Sequence, residues 1–439
     1  MRLERQRIGH AVRTNQWLAP SELRALQVQK LKALLSHAYA SVPYHRRRLD
    51  ERGIRPDSIR SLADLDKVPV MSKQDLRENP LEDLVPKGLK IETCRRAYTS
   101  GTTGTPVFVL VDRDAFAWRR AYLERVADAL GLDPWEHRAT LRFTFPKFDP
   151  RGDPANLKLK KWLSRRRNRY SREFFFTYDC LEILYDLLKF KPKVIQGNPA
   201  YLMNLTHALK DSMRPSLKML GSSGDTLDLA TRRELESFFG CPLYEAYGSQ
   251  DLGPMAWQCR NREGLHMNVD GYVFEIVGKD GGLASGESGR LLVTCLDNYA
   301  MPVIRYEVGD EVTLDPEPCS CGRGLPLMKR VDGRQSDFLD LPGGKRISPQ
   351  AFVSCINQVA GLPRFQLVVK TPADLELRLY AQNVSSLLVQ ESLRRCHELF
   401  GRVVSLNVVL VKEEPRAKLR SVIPNPDAQT LGITTSPVT

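Results

Sequence analysis

No run in this chain of 439 residues approaches the roughly 18 consecutive apolar residues of a membrane-spanning helix, so no span is expected. The opening "MRLERQRIGHAVRTNQW" is charged and lacks an apolar signal core, which predicts a cytoplasmic protein. Cysteine is scarce: nine residues, an odd count, mostly isolated. That pattern suits free thiols in a reducing compartment better than a disulfide framework. There is no internal repeat, and no GK[ST] ending of a Walker phosphate loop. Residues 157–172, "LKLKKWLSRRRNRYSR", contain no acid at all among eight Lys and Arg.

The whole chain has a net charge of +13, and it is not spread evenly. The basic segment reads as a solvated face or mobile loop, or as an electrostatic site for an anionic substrate or carrier. Trp162 and Tyr170 lie within it, but no nucleic-acid module surrounds them, so nucleic acid is not an expected partner. The hydrophobic share of 42% supports a large core, and the length predicts two or three domains.

Leu23, Leu26, Leu31, Leu34 and Leu35 fall at helical spacing, predicting one long helix over 21–52. Ser72 is placed to cap a short helix, and 114–130 is again helical. The segments "KPKVIQGNP" (191–199), "LKMLGSSGDTL" (217–227) and "PLYEAYGSQDLG" (242–253) read as strands ending in small, polar turns. Helices over 199–210 and 231–240 separate them. This alternation predicts an α/β fold with ligands at the carboxyl ends of the strands. From about 265 short strands dominate, as in "GYVFEIVG" and "GRLLVTCL". A smaller α/β segment follows Asp337.

"YTSGTTGTP" (98–106) lies between two such strands. Small residues and hydroxyls there offer backbone N–H groups and close approach, a cradle for phosphate oxygens or a plain flexible hairpin. Cys259 and His266 in "CRNREGLH", with Cys319 and Cys321 in "CSCGR", supply the soft ligands of a structural Zn²⁺; free thiols with a surface His are the alternative.

"YTSGTTGTP" resembles the phosphate loop of the adenylate-forming, AMP-binding enzymes. "SSGDTL" (222–227), "YEAYGSQDLG" (244–253), "MPVIRYEVGD" (301–310), "VDGRQSD" (331–337) and "RAKLRSVI" (416–423) resemble further motifs of that superfamily, in its order. Within it, "LLSHAYASVPYHRRRL" and "SLADLDKVPVMSK" are similar to the opening of the phenylacetate–CoA ligase family. The likeness covers roughly residues 25–425. The segment 141–178 looks more like the capsular-polysaccharide-type branch.

The resemblance implies a large multi-sheet N-terminal domain over 1–336, a small mobile α/β domain over 337–425 hinged at Asp337, and a disordered tail over 426–439. It implies ATP-dependent adenylation of a carboxylic acid and acyl transfer to CoA. An amine or hydroxyl acceptor, a glycan- or carrier-linked acid, a non-catalytic nucleotide-binding homologue and a homodimer stay open. Ser100, Gly101, Thr102, Thr103 and Gly104 would hold the triphosphate. Ser223, Gly224, Asp225, Tyr247, Gly248, Ser249 and Gln250 would line the nucleotide, with Tyr247 stacked on adenine. Asp251 would hold Mg²⁺, Asp310 the ribose diol, and Arg334 ribose or phosphate. Lys418 would bring the catalytic positive charge. Two departures stand out: Gln250-Asp251 replaces the family's hydroxyl-Glu pair, and Ala417 precedes Lys418 where Gly is usual.

Overall fold

The protein is described by a computed structural model. It describes residues 2–98, 107–143, 170–176, 180–209, 213–278, 288–334, 338–342, 346–347, 349–356, 359, 362–401, 404–412, 422–424 and 436–437.

Helices α1 (Arg2–Asn15), α2 (Pro20–Ser41), α3 (Pro43–Glu51), α4 (Lys73–Glu78) and α5 (Leu81–Leu84) open the chain. The single helix expected over 21–52 is two, broken between Ser41 and Pro43. Pro43 has no N–H to continue α2, and it forces Val42 out of the helical region, to φ −109° and ψ 110°. The break turns Tyr44, His45 and Leu49 inward while Leu31, Leu34, Leu35 and Ala38 of α2 pack on Leu296 and Ile304. Each such leucine contributes about 1.5–3 kcal/mol on burial. Ser72 caps α4 as expected, its Oγ accepting from Asp75 N while the Asp75 carboxylate accepts from Ser72 N.

Strands β1 (Arg95–Tyr98) and β2 (Phe108–Val111) pair antiparallel on either side of 99–106, and α6 (Arg113–Ala129) follows. Asp112 caps α6 through Ala115 N. Strands β3 (Arg138–Phe143), β4 (Ser171–Phe176), β5 (Val194–Gly197), β6 (Met219–Ser223) and β7 (Leu243–Ser249) run parallel. Helices α7 (Cys180–Phe190), α8 (Pro199–Ala208) and α9 (Leu229–Phe239) lie between them in the chain.

The same sheet then turns antiparallel through β8 (Gly253–Gln258), β9 (Leu265–Met267), β10 (Tyr272–Val277), β11 (Ser288–Cys295), β12 (Tyr306–Asp315) and β13 (Leu327–Arg334). Its order across eleven strands is β10-β11-β12-β13-β9-β8-β7-β6-β5-β3-β4. One continuous sheet therefore joins the alternating and the β-rich halves of the sequence. Residues on its parallel part bury Ile195, Leu220 and Leu243 against α7, α8 and α9.

Beyond residue 337 a second core forms around Leu339, Phe352, Leu377 and Phe400. It holds β14 (Leu339–Asp340), β15 (Arg346–Ile347), α10 (Pro349–Ile356), β16 (Arg364–Thr371), β17 (Asp374–Tyr380), α11 (Ser386–Phe400), β18 (Ser405–Val411) and β19 (Val422–Pro424). In the segment expected to be disordered, β20 (Ser436–Pro437) pairs with Val409 and Leu410 of β18.

Candidate active site at the ends of the parallel strands

Parallel strands β5, β6 and β7 end together, and their last residues carry the polar turns. Asn198, just after β5, donates from Nδ2 to Asp225 Oδ2 at 3.3 Å, and Asp225 Oδ1 accepts from Thr226 N at 3.0 Å. This links the turns after β5 and β6. Ser223 closes β6 and Gly224 follows it.

At β7 the chain reverses through Gln250, Asp251 and Leu252 into β8, with Ser249 paired to Gly253. The return is close: a Cβ on Gly248 would lie 2.4 Å from the Gly253 carbonyl, so no side chain fits there. A bulge between Tyr247 and Gly248 breaks the register, the kind of irregularity that re-aims a neighbouring side chain. Tyr247 Oη donates to Asp310 Oδ2 at 2.7 Å. Leu252 N donates to Ser249 Oγ at 3.3 Å.

Asp310 lies on β12 opposite Arg334 of β13, and Arg334 Nε stands 3.6 Å from its Oδ1. Strand β9 is only three residues long and meets β13 at Leu327 and Met328 alone, so β12 and β13 run on past it to reach Tyr247. Burial raises the Asp310 carboxyl above its usual range, against the lowering effects of Tyr247 and Arg334. Burial also carries the Tyr247 phenol well above its ordinary value.

Asp251 is 4% exposed. Its neighbour Tyr306 is fully buried, and burial followed by the Asp251 charge raises the Tyr306 hydroxyl. Lys73 enters from the first turn of α4, its Nζ donating to Val308 O at 3.3 Å. Burial first, and then the Arg334 charge, lower the Lys73 ammonium below its usual value. Its delivery is stitched: Met71 N donates to Arg305 O at 2.9 Å and Glu307 N donates to Met71 O at 2.8 Å. Arg305 itself has φ 49°, rare for a side-chain-bearing residue. Its guanidinium grips Glu275 at 3.0 Å and donates to Val68 O at 2.6 Å, which fixes the strap leading to Lys73.

The structure thus gathers Tyr247, Asp251, Asp310 and Arg334 with Lys73 and Tyr306, while Ser223, Gly224 and Asp225 sit at the neighbouring strand end. Ser100, Gly101, Thr102, Thr103, Gly104, Asp337 and Lys418 lie outside the described residues, as does most of the basic run 157–172. Lys73, Tyr306 and Arg119 were not singled out from sequence. Lys73 sits two residues after the buried Met71 on a helix start, a place where a lysine ordinarily faces solvent.

Separately, Cys259, His266, Cys319 and Cys321 come together, their ligand atoms all within 4.8 Å of one another. Cys259 Sγ is 3.7 Å from Cys319 Sγ, and Cys321 Sγ is 3.3 Å from His266 Nε2. A tetrahedral zinc with its usual bond lengths sets two sulfurs about 3.8 Å apart and a sulfur and nitrogen about 3.6 Å apart. His266 directs Nδ1 to Leu325 O at 3.3 Å, which leaves Nε2 free to ligate. Burial lowers its pKa to about 4, so the ring is neutral.

No helix of the described residues is long and apolar enough to cross a membrane. No family model matches the chain. The fold is similar to that of 2-hydroxyisobutyryl-CoA ligase in the postadenylation state with R3-HIB-AMP: TM-score 0.75, 20% identity, covering 94% of this chain and 91% of that one. Fold and site define an enzyme of the adenylate-forming ligase class. The phenylacetate-coenzyme A ligase of Escherichia coli (strain K12) is 30% identical over 400 residues, 88% of this chain and 89% of that protein. The chain belongs to the phenylacetate–coenzyme A ligase family. Protein CapK of Staphylococcus aureus is also similar, 23% identical over 73% of this chain and 69% of its own length.

Proposed function

We propose that the chain joins a carboxylic acid to AMP and then passes the acyl group to the thiol of CoA, using the cluster around Asp310 as its nucleotide site. The observation that carries this is the 2.7 Å bond from Tyr247 to a part-buried Asp310 that also faces Arg334. A fixed carboxylate with a free lone-pair direction suits the two hydroxyls of a ribose. Tyr247, anchored at its hydroxyl, offers a ring face to adenine beside Ser223, Gly224 and Asp225.

In the first step a substrate carboxylate oxygen attacks the α-phosphorus, and the bond to pyrophosphate breaks. Negative charge builds on phosphate oxygens, so fixed cations and N–H donors accelerate it. Arg334 and Lys73 are cations that act on Asp310. Ser100, Gly101, Thr102, Thr103 and Gly104 hold the β- and γ-phosphates in this reading, with Gly248, Ser249 and Gln250 shaping the wall. The buried Asp251 carboxylate, a hard oxygen donor, would hold Mg²⁺, which supplies charge neutralisation when bound. Lys418 reaches the site from a C-terminal domain that pivots at Asp337 and runs from 337 to 425. The separate core around Phe352 and Phe400 supports that division. In the second step the thiolate attacks the acyl carbon and AMP leaves.

Zn²⁺ at Cys259, His266, Cys319 and Cys321 is structural in this reading. Thiols kept reduced for it fit a cytoplasmic setting.

The test is to incubate the protein with ATP, Mg²⁺, hydroxylamine and a pool of aryl and aliphatic acids. We expect AMP, pyrophosphate and one hydroxamate, replaced by a thioester when CoA is present. ADP and phosphate as products would overturn the adenylate step. An acyl-AMP that CoA does not consume would move the acceptor to an amine or hydroxyl.

A further inference from the structure

We propose that Arg119 on α6 is a positioning residue for adenylation, holding the turn that carries Asp251. This rests on the reading of Asp251 as an active-site carboxylate. Arg119 Nη1 donates to Gln250 O at 3.1 Å, and Nη2 donates to Asp251 O. One planar guanidinium therefore binds two consecutive carbonyls, a geometry that lysine cannot reproduce. Gly253, which ends the turn, has φ +96°, and a Cβ there would lie 3.0 Å from Arg119 Cγ, Cδ and Nε. The absence of a side chain at 253 is what lets Arg119 lie against the turn.

What fixes Arg119 is the rest of its helix face. Tyr122 lies one three-residue step on from Arg119 and Arg125 one step beyond that, so each neighbours the next along the helix surface. Tyr122 Oη donates to Asp297 at 2.5 Å, and Asp297 also accepts Lys30 Nζ at 2.5 Å. Arg125 is bidentate to Asp270 at 3.0 and 3.1 Å, with both side chains at 0% exposure. Sliding α6 would unpair these buried charges, which is strongly unfavourable. The helix is thus a strut pinned to the residues flanking β10 and β11, and Arg119 is the arm it extends to the catalytic turn. A loosened turn lets Asp251 move by an ångström or so, enough to cost a large factor in rate.

The experiment compares Arg119→Gln, Arg119→Lys, Asp251→Asn and the Arg119→Gln/Asp251→Asn double variant, each checked for native circular dichroism. For Arg119→Gln we expect the adenylation rate to fall about 10- to 100-fold. The KM of the acid should stay unchanged, and half-maximal activation should need more Mg²⁺. The thermal shift that Mg²⁺ adds to ATP should shrink. Arg119→Lys should recover only part of the rate. The two single losses should not multiply in the double variant, because Arg119 acts through Asp251. Losses that multiply, or an Arg119→Gln enzyme with wild-type rate and Mg²⁺ response, would overturn the proposal while leaving Asp251 in its role. An Asp251→Asn enzyme with wild-type turnover would instead overturn the reading beneath it.

Discussion

Replacing Cys321 with serine tests the zinc reading most sharply. The four ligand atoms lie within 4.8 Å of one another, and the Cys259–Cys319 pair at 3.7 Å and the Cys321–His266 pair at 3.3 Å are near the edges of a tetrahedron of zinc bonds. Wild-type protein purified without chelator should carry one zinc per chain, with three sulfurs at about 2.3 Å and one nitrogen at about 2.0–2.1 Å by X-ray absorption. Cys321→Ser swaps a soft thiolate for a hydroxyl and should lose most of the metal. The consequence reaches the N-terminus. Arg323, two residues on, donates to Gln16 Oε1 at 2.8 Å, and Gly324 N donates to Gln16 O at 3.0 Å. Arg323 also lies over the Trp17 ring, 4.7 Å from its centroid. Two hydrogen bonds and one cation–π contact, at about 0.5–1.5 and about 0.5–1 kcal/mol each, hold the α1–α2 linker to this loop. Their loss sums to about 1.5–4 kcal/mol. Hydrogen exchange should therefore quicken at 16–18 and 319–325 in Cys321→Ser or after chelation, and stay unchanged in α11. Wild-type protein with less than about 0.2 equivalents of zinc, or unchanged exchange at 16–18 once metal is gone, would refute the reasoning.

Asp310→Asn keeps the shape but removes the charge proposed to accept the ribose hydroxyls; the KM for ATP should rise about 10- to 100-fold, since a hydrogen bond to a charged group is worth about 1.5–3 kcal/mol. Unchanged nucleotide kinetics would remove Asp310 from the site. Asp270→Asn strands the fully buried Arg125 and should cost about 3–5 kcal/mol by chemical denaturation. Asp270→Leu with Arg125→Met should cost far less, and equal losses would show that charge is not the cause. Burial lowers His45 to about 4 from 6.5. The unfolded chain therefore takes up a proton between those values while the native chain does not. Stability must fall as pH drops through that window, by about 3 kcal/mol in all. His45→Gln should flatten the pH 7 to pH 5 part of that slope by about 2 kcal/mol.

Strand and helix periodicity made the parallel part of the sheet legible, because each of β5, β6 and β7 ends in a run of small polar residues. The Ser72 cap was readable for the same local reason. The helix break at Pro43 was locally written too, but the leucine spacing on either side drew it across the proline. Sheet continuity was not legible. Nothing in "CRNREGLH" announces that the three residues of β9 bridge β13 to β8 and so bring Asp310 to Tyr247. Lys73, Tyr306 and Arg119 escaped notice because their meaning lies in partners far along the chain. Lys73 bonds a carbonyl at 308, and Arg119 bonds carbonyls at 250 and 251. The Cys/His cluster was readable because thiols and an imidazole are rare enough to be paired by type alone.

The packing of α2 on Leu296 and Ile304 sets a timetable for synthesis. The apolar face of Leu31, Leu34 and Leu35 emerges from the ribosome roughly 270 residues before Ile304. At ordinary elongation rates that is about 15–50 s. Throughout that interval the helix can bury only against its local partners Leu49, Ile54, Ile59, Leu65 and Val68. The nascent chain must therefore carry a half-covered leucine stripe past most of its own length, and helper proteins that shield such stripes should associate with it until β11 and β12 are made.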